Sequence, residues 1–481
     1  MDLLATTSAA AVSSYALLST IYKSVQALML SRRSTHRWTT LTSEVVVPAV
    51  DVIVPCFNEN PNTLAECLES IASQDYAGKM QVYVVDDGSA NRDVGRCTPD
   101  ICERSEIQFY LVGEQCGKAQ GRIAAIRSSS GDLVLNVDSD TILAADVVTK
   151  LVLKMHDPGI GAAMGQLIAS NRNQTWLTRL IDMEYWLGCN EERAAQAQVP
   201  SCVAAAHVPC IGVPVALLLD QYEAQFFRGK PSDFGEDRHL TILMLKAGFR
   251  TEYVPDAIAA TVVPHSLRPY LRQQLRWARS TFRDTFLAWR LLPELDGYLT
   301  LDVIGQNLGP LLLAISSLAA LAQLLIDGSI PWWTGLTIAA MTTVRCCVAA
   351  LRARELRFIG FSLHTPINIC LLLPLKAYAL CTLSNSDWLS RKVTDMPTEE
   401  GKQPVILHPN AGRSAAGVGG RLLLFVRRRY RSLHRAWRRR RVFPVAIVRL
   451  STNKWSADDS GRKPSVIRAR VGCRRPVAPR H

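Results

Sequence analysis

Asp138 and Asp140 stand one residue apart at the end of residues 133–140, read Leu-Val-Leu-Asn-Val-Asp-Ser-Asp. Carboxylates at that spacing can share one hard divalent cation with a nucleotide diphosphate. Mg²⁺ takes one or two carboxylates and fills its other positions with phosphate oxygens and water. The apolar run before them, free of Gly and Pro, predicts a central parallel strand. Ligands of open α/β sheets sit outside the carboxyl edge of such strands, where these two residues would emerge. The same Asp-Ser-Asp would also serve as a solvated turn, so its meaning depends on its company.

That company is acidic, amide and aromatic. Glu59 closes Pro55-Cys56-Phe57-Asn58-Glu59, and Asp86 and Asp87 open Asp-Asp-Gly-Ser. Glu236 and Asp237 end Asp233-Phe234-Gly235-Glu236-Asp237, just before a helical run over 239–247. Near a helix N-terminus the free N–H groups favour an ionised carboxylate by a few tenths to about 1 kcal/mol. An ionised aspartate beside a metal-bound donor can accept a proton. Gln273, Arg276 and Trp277 fall within a basic helical stretch over 267–290. Gln273 and Arg276 are i and i+3 and so share a helix face, with Trp277 adjoining. Amide, guanidinium and indole together suit a pyrophosphate and a stacked sugar ring; an amphipathic helix lying on a membrane surface suits the same pattern.

The elements that must hold these groups alternate. A β-branched strand over 50–55 is followed by Asn60-Pro61, a cap with proline at the first helical position. Leu64, Cys67, Leu68 and Ile71 then form an apolar stripe at helical spacing. A second strand over 82–85 leads into Asp86. Further helices are expected over 123–130, 144–155 and 176–196, the last at a cleft wall. Strand, helix, strand with carboxylates at both strand ends outlines a nucleotide-binding unit.

The 481 residues suffice for two or three domains, and the net charge of +13 is unevenly spread. From 397 to 481 there are 21 Lys and Arg against 4 Asp and Glu, which leaves the preceding body slightly acidic. A basic duplex-binding face on the body is therefore not expected. The tail, with Tyr430 and Trp437 among its arginines, reads as a disordered extension that could also meet anionic lipid. Thirteen cysteines lack a Cys-x-x-Cys pair and read as reduced, mostly buried thiols.

Apolar stretches predict membrane contact. Residues 1–30 read as an anchor, and Arg32, Arg33 and Arg37 place the region after it in the cytosol. Residues 300–385 hold two to three further spans, over 303–326, 330–351 and 358–383. The third is interrupted by Pro366, Pro374 and Lys376. Three crossings would carry the Arg-rich tail outward, against the positive-inside bias; a re-entrant third segment or a translocated tail resolves this.

Pro-x-x-Asn-Glu at 55–59, Asp-Asp-Gly-Ser at 86–89, Asp-Ser-Asp at 138–140, Gly-Glu-Asp at 235–237 and Gln-x-x-Arg-Trp at 273–277 occur in that order. The ordered set resembles the processive family 2 glycosyltransferases, which include chitin, cellulose and hyaluronan synthases. Over 181–195 and 232–285 the resemblance is closest to the NodC group of nodulation N-acetylglucosaminyltransferases, and it covers roughly residues 1–396.

It implies an α/β fold of GT-A type, a Rossmann-like mixed sheet over 45–290, between N-terminal and C-terminal transmembrane helices. It also implies a multi-pass inner-membrane enzyme that polymerises GlcNAc from UDP-GlcNAc into the β-1,4 chitin oligosaccharide backbone of Nod factors. Glu59, Asp86 and Asp87 would meet the uridine, Asp138 the diphosphate and ribose, and Lys118 the donor phosphates. Asp138 and Asp140 would hold Mg²⁺ or Mn²⁺. Asp237, with Glu236 beside it, would be the general base for an inverting attack by the acceptor's 4-hydroxyl. Gln273, Arg276 and Trp277 would hold the diphosphate and the acceptor's terminal sugar.

Two stretches, 94–122 and 198–215, depart from the family's pattern between faithful flanks, as short compensated reading-frame shifts would leave them. They bear on donor-phosphate contact at Lys118 and acceptor binding near Cys210.

Overall fold

The computed structural model describes residues 2–31, 47–86, 108–113, 125–126, 129–157, 159–199, 210–212, 226–227, 230–231, 236–288, 296–385 and 467–469. Asp87, Lys118, most of both divergent stretches and nearly all of the basic tail lie outside them.

The sheet-bearing unit begins with β1, Val50–Cys56, in which all seven residues are buried. Asp51 tolerates that burial because its carboxylate accepts the Ser130 and Gly131 amides, both at 2.7 Å. Next comes helix α2, Pro61–Ala72 (α1 being the N-terminal helix Asp2–Ser31), whose cap Asn60 accepts the Asn62 amide at 2.9 Å. Leu64, Cys67, Leu68 and Ile71 are wholly buried against the sheet, each of the larger three contributing about 1.5–3 kcal/mol.

Strands β2 (Met80–Asp86), β3 (Gln108–Gly113) and β4 (Leu133–Asn136) run parallel to β1. A short β5, Thr141–Leu143, is followed by helix α3, Val147–Lys154, and by β6, Ile160–Ala169. Strand β7, Cys210–Gly212, lies antiparallel between β4 and β6. A two-strand pair, β8 (Phe226–Phe227) and β9 (Lys230–Pro231), stands apart. Helix α5, Glu236–Lys246, precedes β10, Arg250–Thr261, which runs parallel to β6 and antiparallel to β5. With β11, Ile467–Ala469, beside β3, the order is β11-β3-β2-β1-β4-β7-β6-β10-β5. Gly165 permits the β10 irregularity: a Cβ there would lie 2.2 Å from the Ala257 carbonyl oxygen.

Helix α4, Trp176–Leu187, opens with a Thr175–Thr178 capping box and continues through a π-helical turn, Gly188–Arg193, to Gln196. Helix α6, Leu267–Ala288, lies alongside. Beyond it come α7, Gly297–Ala322, and α8, Trp332–Ala353. Among the described residues four helices are long and apolar enough to cross a membrane: Leu3–Ser31, Gly297–Asp327, Trp332–Ala353 and Leu356–Cys381. The turn between the second and third uses Gly328 at φ 65°, where glycine is favoured. The fourth segment passes from 3₁₀ through α and π before its final helix Leu373–Cys381. Pro366 and Pro374 lack the N–H that an unbroken α ladder needs.

Polar contacts join the candidate membrane helices to the sheet-bearing unit. Lys23 of α1 and Arg352 of α8 both pair with Glu191, at 3.1 and 3.3 Å. Tyr22 donates to Asp302 of α7 at 2.6 Å, and Gln196 donates to the other Asp302 oxygen at 2.8 Å. Arg357 reaches Asp182 on α4 at 2.5 Å.

Candidate active site

Parallel pairing brings the acidic strand ends to one edge. Asp86 lies in register with Cys56, and Asn136 with Ile53, so β1, β2 and β4 all deliver their carboxyl ends there. After β1 the chain turns at Asn58, whose φ of 47° is left-handed, a conformation asparagine tolerates better than most residues. The turn presents Glu59, which is buried. Its Oε2 accepts from Ser139 Oγ at 2.8 Å and its Oε1 from the Asn60 amide at 3.1 Å. Glu59 is thus bonded to the middle residue of Asp-Ser-Asp.

Asp138 and Asp140 are half-buried in the turn after β4. Strand β10 ends beside them: Thr261 pairs with Thr141 and its Oγ1 donates to Asp140 Oδ1 at 3.3 Å. Beneath them the Cys67 thiol donates to the Asp138 carbonyl at 3.5 Å. Burial pushes that thiol's pKa up, and Asp140, Asp138 and Glu59 raise it further, so three carboxylates crowd one neighbourhood.

The second cluster rides on α6. Gln273 and Arg276 are half-buried, and the buried Gln273 Oε1 finds no hydrogen-bond partner among the described residues. Trp277 packs against Tyr185 of α4, ring centroids 6.4 Å apart at 40°. Tyr185 connects the two clusters. Burial, Glu184 and Asp140 raise its hydroxyl's pKa, while Arg276 lowers it, so both the metal-type carboxylate and the guanidinium act on one phenol. Helical spacing alone puts α4 at a cleft wall, yet nothing in the sequence marks Tyr185 or Thr261 as site residues; only the contact between distant elements identifies them.

Glu236 and Asp237 occupy the first turn of α5. The next residue fixes that turn against α6: Arg238 donates to Thr281 Oγ1 at 3.4 Å and lies 4.0 Å from Asp284. Asp86 ends β2 at the carboxyl edge, whereas Asp87 and Lys118 fall outside the described residues. Among the described residues no three His, Cys, Asp or Glu side chains gather as a metal cage. The oxygen pair of Asp138 and Asp140 still fits Mg²⁺ or Mn²⁺, which commonly rely on substrate phosphates to complete their shell.

Models of two families match the chain: "Glycosyltransferase like family 2" over residues 48–280 and "Chitin synthase" over 230–398. An N-acetylglucosaminyltransferase of Bradyrhizobium diazoefficiens is 88% identical over 486 residues, covering all of both chains. The chain belongs to the family 2 N-acetylglucosaminyltransferases. Others of this family from Rhizobium sp. strain N33 and Rhizobium meliloti are 63% and 60% identical, across 87% and 84% of the chain and 94% and 96% of their own length. The family's GT-A fold is seen in a mannosyltransferase from Pyrobaculum calidifontis, solved with GDP-Man and Mn²⁺. It is 21% identical with a TM-score of 0.54, covering 76% of this glycosyltransferase and 99% of that chain. The mixed sheet with its antiparallel β7 is that fold's arrangement here.

Proposed function

We propose that this N-acetylglucosaminyltransferase takes UDP-GlcNAc as donor and extends a β-1,4 chitin oligosaccharide, the backbone of a nodulation signal, with inversion at the anomeric carbon. The observation that carries the reading is Tyr185, which meets Trp277 and lies within the influence of both Asp140 and Arg276. Tyr185 thus supports a reading in which the carboxylate turn and the acceptor-type aromatic serve one site.

In this reading Glu59, Asp86 and Asp87 receive the uridine, with Ser139 holding Glu59 in place. Asp138 contacts the diphosphate and ribose, and Lys118 contacts the donor phosphates. Asp138 and Asp140 would hold Mg²⁺ or Mn²⁺, which supplies neutralising charge for the departing diphosphate. Thr261 orients Asp140 for that task. Arg276 adds a fixed guanidinium on the diphosphate side, and Trp277 stacks on the acceptor's terminal sugar. Gln273 Oε1 offers an acceptor to a sugar hydroxyl. Asp237, with Glu236 adjoining, takes the proton of the acceptor's 4-hydroxyl as it attacks, a role typically contributing about 10²- to 10⁴-fold.

The unit works on the cytosolic face of the inner membrane, held by α1 and the C-terminal helices. Arg32, Arg33 and Arg37 after α1 support that orientation. Membranes carrying the enzyme, offered labelled UDP-GlcNAc, UDP-glucose and UDP-glucuronate in parallel, should incorporate only GlcNAc into chitinase-sensitive material. Incorporation of glucose or glucuronate without GlcNAc would overturn the reading.

A further inference from the structure

Two consecutive residues of α4 grip the helix that carries Gln273, Arg276 and Trp277. Tyr185 meets the Trp277 ring. Its neighbour Glu184 accepts from the buried Tyr270 hydroxyl at 3.2 Å. Tyr270, Gln274 and Trp277 succeed one another at i, i+4 and i+7, a single stripe of α6 turned toward α4.

Lys376 on the fourth segment and Arg345 on α8 lie close enough to favour the ionised form of Glu184, against a burial that pushes its carboxyl's pKa up. A buried carboxylate costs free energy unless hydrogen bonds and counter-charges satisfy it. Apolar packing between α4 and α6 would hold these helices together without that cost. A carboxylate here gives something packing lacks: a directional bond that fixes the rotation of α6 about its own axis.

We propose that Glu184 is a positioning residue of the transfer reaction, locking α6 against α4 so that Arg276 and Trp277 stay aimed into the site. This role rests on the proposed function, in which Trp277 holds the acceptor and the carboxylates hold the donor. With the lock gone, α6 can turn, and a misplacement of about 1 Å can cost about 10²-fold in rate. The loss falls chiefly on acceptor retention. Glu59 and Asp140 are held by Ser139 and Thr261 rather than by α6, so of the donor contacts only that of Arg276 moves with the helix.

The test uses full-length enzyme in membranes. For Glu184→Ala, the rate at saturating UDP-GlcNAc should fall about 10- to 100-fold, with the donor KM rising by a clearly smaller factor, through Arg276 alone, and products shifted to shorter oligosaccharides. Glu184→Gln retains an acceptor for the Tyr270 hydroxyl, and should recover wild-type product lengths and a rate within about threefold. Hydrogen exchange across residues 270–277 should rise in the Ala variant and stay at the wild-type level in the Gln variant. Unchanged product lengths in Glu184→Ala, a Gln variant as impaired as Ala, or a proportionate loss of donor affinity would each overturn the proposal. Wild-type membranes that make no chitinase-sensitive product would instead sink the functional reading, and the exchange comparison alone would then decide whether Glu184 locks α6.

Discussion

At the residue scale the donor end is a set of carboxylates held by small neighbours. Ser139 bonds Glu59, Thr261 bonds Asp140, and Cys67 bonds the Asp138 backbone. Each is a short side chain that fixes an acid without adding charge, leaving the negative field intact for a cation. Cys67 reports that field. Its thiol pKa lies well above the ordinary cysteine value because of burial and then Asp140, Asp138 and Glu59, so the thiolate fraction at pH 8 is depressed. Iodoacetamide at pH 8 should leave Cys67 unmodified in the native enzyme and alkylate it after denaturation, as read by peptide mapping. Rapid native alkylation would show that the acidic neighbourhood does not form.

At the element scale, the tight approach of β10 to β6 places Thr261 beside Asp140. The Gly165 position leaves no room for a side chain against Ala257. Gly165→Val should destabilise the enzyme by about 1–3 kcal/mol, seen as a lower midpoint in thermal unfolding, because overpacking forces strands apart. An unchanged midpoint would mean that the two strands are not held this closely. In the sequence β1, α2, β2 and β4 are legible because each has one clean period and a recognisable cap or strand end. Strands β6 and β10 are not. The first, Ile-Gly-Ala-Ala-Met-Gly-Gln-Leu-Ile-Ala, is mostly small and apolar with a single Gln, and the second carries a proline and two acids, so neither shows an alternating pattern. Strand β7 is three residues long and takes its identity from the two partners flanking it. Tyr185 and Glu184 are equally hidden: on α4 they look like ordinary residues of an amphipathic helix, and only packing against α6 gives them a role. The Gln-x-x-Arg-Trp motif, by contrast, can be read in advance from its helical spacing.

At the scale of the whole molecule, the α4 to π-turn segment is the coupling between sheet and membrane. It places Asp182, Glu191 and Gln196 against partners on α1, α7, α8 and the fourth segment. The helix that forms the cleft wall is therefore also the helix docked to the membrane elements, and the site's geometry depends on both. The basic tail carries its charge from residue 397 onward, where the chitin synthase match ends at 398, although the Bradyrhizobium diazoefficiens relative matches the tail as well. Deleting residues 397–481 should leave N-acetylglucosaminyl transfer in washed membranes within about twofold of the full chain. Loss of transfer with normal membrane insertion would assign the tail a direct role in catalysis.

In the proposed function, sugar transfer divides its labour between donor-holding carboxylates and a separate base on α5. UDP affinity, measured with and without Mg²⁺ on purified Asp140→Ala and Asp237→Asn enzymes, tests that division most directly. Asp140→Ala should lose the Mg²⁺-dependent part of UDP binding, while Asp237→Asn should bind UDP within about threefold of wild type although its turnover falls about 10²- to 10⁴-fold. Equal loss of UDP affinity in both variants would contradict the assignment.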